Sequence, residues 1–117
     1  MVNKRRVPRF SCRLRVLYTD HHENEKIAFA ADVSSMGVFV PTPNPEFVGR
    51  TIEVIARLPS GNVQLETAVA WSNRPEAGGK DPRGDGFGLR VMQAPEAWYR
   101  YCKTLEREQA SVDPLVA

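Results

Sequence analysis

The sequence predicts a mainly β protein: a six-stranded antiparallel barrel followed by one C-terminal α-helix. Three observations lead there. Six stretches either alternate apolar and polar residues or form short apolar runs, and each is bounded by Gly, Pro, Asn, Asp or Ser. Turns rather than helices join them, which suits antiparallel neighbours. Only the last segment carries helical spacing. Closing such a sheet into a barrel removes its exposed edges.

The 117 residues suit one domain. Apolar residues make up 42% and charged residues 26%, ordinary for a globular chain. No apolar run approaches the roughly 18 residues of a membrane span, so membrane insertion is not expected. The basic N-terminal stretch has no hydrophobic segment after it, which argues against a secretory signal. Cys12 and Cys102 stand far apart and match no metal spacing. They are expected to be reduced and buried in a cytoplasmic protein, a disulfide requiring the C-terminal segment to pack on the first strand.

Residues 1–11 lack hydrophobic periodicity, and Pro8 blocks a helix, so they read as a flexible basic arm. From Cys12 to Thr19, Cys12, Leu14, Val16 and Tyr18 alternate with Arg13 and Arg15, the mark of a half-buried strand. His21 to Lys26 is a polar hairpin loop. Ile27 to Val33 is the second strand and Val38 to Pro41 the third. Pro41, Pro43 and Pro45 then forbid a helix. Thr51 to Leu58 and Val63 to Trp71 form a hairpin around the turn Pro59-Ser60-Gly61-Asn62, with Val63, Leu65, Thr67, Val69 and Trp71 on one face. Ser72 to Gly86 is a Gly-, Pro- and charge-rich loop, and Phe87 to Met92 is the last strand. Pro95 suits the first turn of a helix, along which Trp98, Tyr101, Cys102 and Leu105 recur on one face. Residues 12–108 thus form barrel and helix, and 109–117 a disordered tail.

Two local patterns carry chemistry. The first is the stretch Asp32-Val33-Ser34-Ser35-Met36-Gly37 between strands two and three. It reads as a tight turn, in which Asp32 and Ser34 can accept from backbone amides and Gly37 can take positive φ. Equally, Asp32 and Ser34 can present polar groups to a small molecule while Gly37 lets it approach. The second is the basic arm. Net charge is only +2, yet Lys4, Arg5, Arg6, Arg9, Arg13 and Arg15 fall in the first fifteen residues, before any Asp or Glu. Arg5 and Arg9 form Arg-x-x-x-Arg; guanidinium forks match phosphate oxygens and the N7/O6 edge of guanine.

Together these patterns resemble the PilZ domain family. Arg5-Arg6-Val7-Pro8-Arg9-Phe10 fits its Arg-x-x-x-Arg element, and Asp32 to Gly37 fits its Asp/Asn-x-Ser-x-x-Gly element, 23 residues beyond Arg9. Gly86-Phe87-Gly88-Leu89-Arg90-Val91 is similar to its late glycine-rich strand, and a helix follows as it does there. The resemblance spans about residues 4 to 107. Arg9 and Arg13 have the same spacing, but Arg13 falls inside the alternating strand, so Arg5 and Arg9 are the matching pair.

The resemblance implies a PilZ-like six-stranded barrel that binds cyclic di-GMP, a bacterial second messenger, as ligand, with no cofactor. Arg5 and Arg9 would grip phosphates and guanine Hoogsteen edges, and Arg6 would add a phosphate or stacking contact. Asp32 would accept from a guanine N–H edge, Ser34 would add a polar contact, and Gly37 would make room. Trp71 reads either as core, by alternation with Leu65 and Val69, or as a base-stacking surface. On this reading the chain is a single-domain sensor whose arm orders on the ligand and signals to an unidentified protein partner, as a monomer or weak dimer. The alternative is an adaptor of the same fold that has lost the nucleotide. Nucleic acid is not the expected partner. An enzyme is not expected either: no Ser/His/Asp arrangement, paired catalytic carboxylates or metal cluster stands out, and His21-His22 lacks a third ligand.

Overall fold

A computed structural model describes residues 10–73 and 85–111, with side chains over 12–73 and 85–108. Among the described residues six strands precede one helix: β1 (Phe10–Thr19), β2 (Glu25–Val33), β3 (Gly37–Pro41), β4 (Thr51–Leu58), β5 (Gly61–Asn73), β6 (Gly86–Gln93) and α1 (Glu96–Ser111). The strands close into a barrel in the order β1-β2-β3-β6-β5-β4, every pairing antiparallel. All six expected strands and the helix are present. The helix continues past residue 108, where the sequence reading ends it, to Ser111.

Alternation produces the core. Leu14, Val16 and Tyr18 of β1, Ile52, Val54, Ala56 and Leu58 of β4, and Phe87, Leu89 and Val91 of β6 all point inward, and Tyr18 meets Phe87 edge-on at 5.7 Å. Ile55, out of phase with its strand, lies outside. Thr67 is buried on β5, where its hydroxyl donates to Ile52 O at 2.7 Å, so the polar group is satisfied.

The apolar face of α1 buries Trp98 and Cys102 against the barrel, with Tyr101 and Leu105 partly covered. Tyr101 hydrogen-bonds Cys12 across to β1. Burial is the main reason that the Tyr101 hydroxyl is pushed up to about 12 and the Cys102 thiol up to about 11. The helix therefore packs on the first strand, yet both thiols are free; Cys12 is half-buried rather than fully covered.

The β1–β2 turn closes on a carboxylate. Asp20 accepts from Asn24 N at 2.8 Å and from His22 N at 2.9 Å. These amides, the one at Asn24 foremost, hold its carboxyl below the usual range. Nearby, the fully buried Glu46 lies between His21 Nδ1 at 3.0 Å and Arg50 Nε at 3.3 Å, the latter an ion pair without hydrogen-bond geometry. Arg50 Nη2 donates to Thr19 O and Asp20 O. His21 is thus tied to a buried carboxylate rather than simply solvated in a loop.

Candidate functional site

The turn between β2 and β3 is built by Ser34. Its backbone N–H donates to Gly37 O at 2.8 Å, while its side-chain oxygen accepts from Met36 N at 3.2 Å and Gly37 N at 3.0 Å. The hydroxyl is buried in this work, much as an N-cap serine serves a helix. Gly37 does not have positive φ. Its requirement is space: a Cβ there would stand 3.1 Å from Leu89 O on β6. The expected left-handed glycine is therefore corrected to a glycine that admits a neighbouring strand. Two further bonds fasten the turn from outside. Val91 N donates to Met36 O at 2.8 Å, and Trp98 Nε1 donates to Ser35 O at 3.2 Å, joining the turn to β6 and α1.

Next to the turn, the pairing registers set Asp32 beside Phe39, Phe39 beside Gly88, and Gly88 beside Trp71. These four residues form one row across β2, β3, β6 and β5. Simple alternation had Trp71 facing the core with Val69. A register shift between Val69 and Trp71 reverses its side. Trp71 is half-buried, outside the core cluster, and stacks on Phe39 with centroids 5.4 Å apart and ring planes 15° from parallel.

The glycines of β6 make that stack possible. Gly86 and Gly88 face the same way, two residues apart. A Cβ on Gly88 would collide with the Trp71 indole; one on Gly86 would lie 2.5 Å from Val40 O and 2.7 Å from the Phe39 ring. Two side-chain-free positions form a floor over which both aromatic rings lie.

Turn and aromatic row enclose an open pocket of about 300 Å³. Asp32, Ser34, Gly37 and Trp71 all line it. So do Phe39 and Arg90, which sequence reasoning did not single out. The signal for Arg90 was its place on the glycine face of β6: Gly86, Gly88 and Arg90 alternate with Phe87, Leu89 and Val91, and Arg90 pairs with Gly37. For Phe39 it was the unbroken apolar run Val38-Phe39-Val40, which marks a strand covered on both faces. The pocket thus offers a carboxylate, a guanidinium and an aromatic platform. Arg5, Arg6 and Arg9 lie outside the described residues. Among the described residues no group of three or more His, Cys, Asp or Glu is placed to hold a metal, and no helix is long and apolar enough to cross a membrane.

The PilZ domain family model matches residues 3–102. The chain belongs to the PilZ family. Among solved structures, the PilZ domain of YcgR from Escherichia coli with c-di-GMP is similar, with a TM-score of 0.63 and 14% identity over 93% of this chain and 96% of that one. The inhibitor of motility MotI/DgrA from Bacillus subtilis is similar with a TM-score of 0.75 and 16% identity over 96% of this chain. This PilZ chain spans about half of that protein's length, 54%. At such identities the likeness is one of fold. Among curated protein sequences none matches significantly.

Proposed function

We propose that this PilZ domain is a cyclic di-GMP receptor, with the pocket beside the Ser34 turn as its guanine site. The observation that carries the reading is the convergence of Asp32, Trp71 and Arg90 on one pocket at the family's Asp-x-Ser-x-x-Gly turn. Each group suits one feature of the ligand. A carboxylate accepts from the guanine N1–H and N2–H edge. A guanidinium fork donates to N7 and O6 or to phosphate. An indole face stacks on the base, worth ~1–3 kcal/mol. At about 300 Å³ the pocket is at the small end of ligand sites, roughly 300–1,000 Å³. It takes part of the dinucleotide and leaves the phosphates to Arg5, Arg6 and Arg9 of the arm.

The signalling step follows from that division. The arm closes on the phosphates, and the ordered arm changes the surface offered to a protein partner. The binding reaction needs no bond-making step, so the domain acts as a receptor rather than an enzyme. Charge-assisted hydrogen bonds contribute roughly 1.5–3 kcal/mol each; a few of them, less ordering costs, bring the dissociation constant to about micromolar.

Calorimetric titration with cyclic di-GMP, beside GMP and GTP, tests the reading. The expected result is saturable binding near micromolar and at least tenfold selectivity for the cyclic dinucleotide. Absence of binding, or equal binding of GTP, overturns it. Amide exchange over residues 4–11 tests the arm: it slows with ligand if the arm closes and is unchanged if it does not.

A further inference from the structure

The outer face of β2, β1, β4 and β5 carries three parallel rows of different character. The middle row is apolar: Leu17 pairs with Ile27 on one side and Ile55 on the other. Ile27 is 59% exposed and Ile55 39%. Two residues along each strand toward one end lies a basic row. There Arg15 pairs with Phe29, which is 42% exposed, and Arg57 occupies the corresponding place on β4. The Arg13 guanidinium sits over the Phe29 ring at 4.2 Å. Two residues the other way lies an acidic row: Glu25 pairs with Thr19, and Glu53 pairs with Glu66. A shallow hollow of about 180 Å³ runs between Leu17, Ile27, Ile55, Arg15 and Arg57.

Two facts make the arrangement more than a solvated surface. Like charges lie side by side within rows, Glu53 opposite Glu66 and Arg15 next to Arg57, an arrangement that destabilises an isolated sheet. Among the described residues, moreover, none of Arg15, Arg57, Glu25, Glu53 and Glu66 joins an ion pair. The missing opposite charge lies in a second copy of the same face. A two-fold axis parallel to the apolar row, in the plane between two such faces, lays apolar row on apolar row and each basic row on the partner's acidic row. It brings Arg57 over Glu53 of the partner subunit, twice. A two-fold along the strands would set arginine on arginine. The face is self-complementary about one axis, as an isologous contact requires.

We infer that the face formed by Leu17, Ile27 and Ile55 between its basic and acidic rows is a homodimer interface, with the strands of the two copies antiparallel across it. It lies apart from the pocket, so association and ligand binding are separately readable.

Sedimentation equilibrium on a concentration series of the chain tests this. The expected result is reversible dimerisation. Arg57→Glu and Glu53→Arg each weaken it at least about tenfold, because symmetry places every reversal in the contact twice and like charges face each other. Mixing the two variants restores association as a heterodimer, since each then meets its opposite. Thermal melts like the parent's show that the variants fold. A parent that stays monomeric throughout the series, reversals without effect, or a mixture of folded variants that does not associate, overturns the proposal.

Discussion

Two turns of this barrel have an aspartate at or just before them, and the two aspartates are placed differently. At the β1–β2 turn Asp20 caps the loop itself, accepting from His22 N and Asn24 N, and is buried. At the β2–β3 turn Ser34 takes that task, accepting from Met36 N and Gly37 N. Asp32, near the end of β2, lines the pocket beside that turn. The same residue type caps one turn with its own oxygen and, at the other, lines the pocket beside a serine that does the capping. The Asp-x-Ser spacing sets a loop-holding serine next to a pocket-lining aspartate, which under the proposed binding mode meets the ligand.

Substitutions at the two turns should separate these roles. The largest effect on binding is expected from Asp32→Ala, a loss of roughly 1.5–3 kcal/mol, or tenfold to more than a hundredfold in affinity for cyclic di-GMP by calorimetry. The thermal midpoint should fall less than with Asp20→Ala. Ser34→Ala should lower both, because two turn amides lose their acceptor; about 1–3 kcal/mol of stability is at stake, measured by urea unfolding. Asp20→Ala should do the reverse of Asp32→Ala, lowering the melting temperature while leaving affinity unchanged. If Asp20→Ala weakened binding and Asp32→Ala only destabilised the fold, the distinction between the turns would fail.

Acid sharpens the same contrast. The carboxyl of Asp20 is held below its ordinary value of 3.8 in the folded protein, chiefly by the Asn24 amide. Its contribution to stability is therefore fully present above that value and disappears as pH falls through the lower folded value. Unfolding followed from pH 6 to pH 2 should show an acid limb that Asp20→Asn flattens. The smallest effect is expected from Trp98→Phe, which keeps a buried ring but removes the donor to Ser35 O. A loss of about 1 kcal/mol or less, with a slight fall in affinity, would show that α1 steadies the turn.

Sequence made the framework legible because its signals are local. Alternation announced β1, β4 and β6, the Pro59 to Asn62 turn placed the β4–β5 hairpin, and the periodicity of Trp98, Tyr101 and Cys102 found the helix face. The turn at Ser34 was visible in its own residues, and the pocket does gather Asp32, Ser34, Gly37 and Trp71. What escaped depends on neighbours. The side on which Trp71 emerges is set by a register shift against β6, invisible along β5 alone. The demand at Gly37 comes from Leu89 O rather than from its own φ. Phe39 and Arg90 join the site only because β3 and β6 pair in one register. The roles expected of Arg5, Arg6 and Arg9 remain with the proposed binding mode.

On the proposed binding mode guanine enters beside the Ser34 turn, against Trp71. An amide and indole ¹H–¹⁵N spectrum of the chain, recorded with and without saturating cyclic di-GMP, addresses it directly. Large shifts are expected of the Trp71 indole N–H and the Met36, Gly37 and Arg90 amides, with the His22 and Asn24 amides still. Shifts confined to other surfaces, or none at saturating ligand, would contradict it.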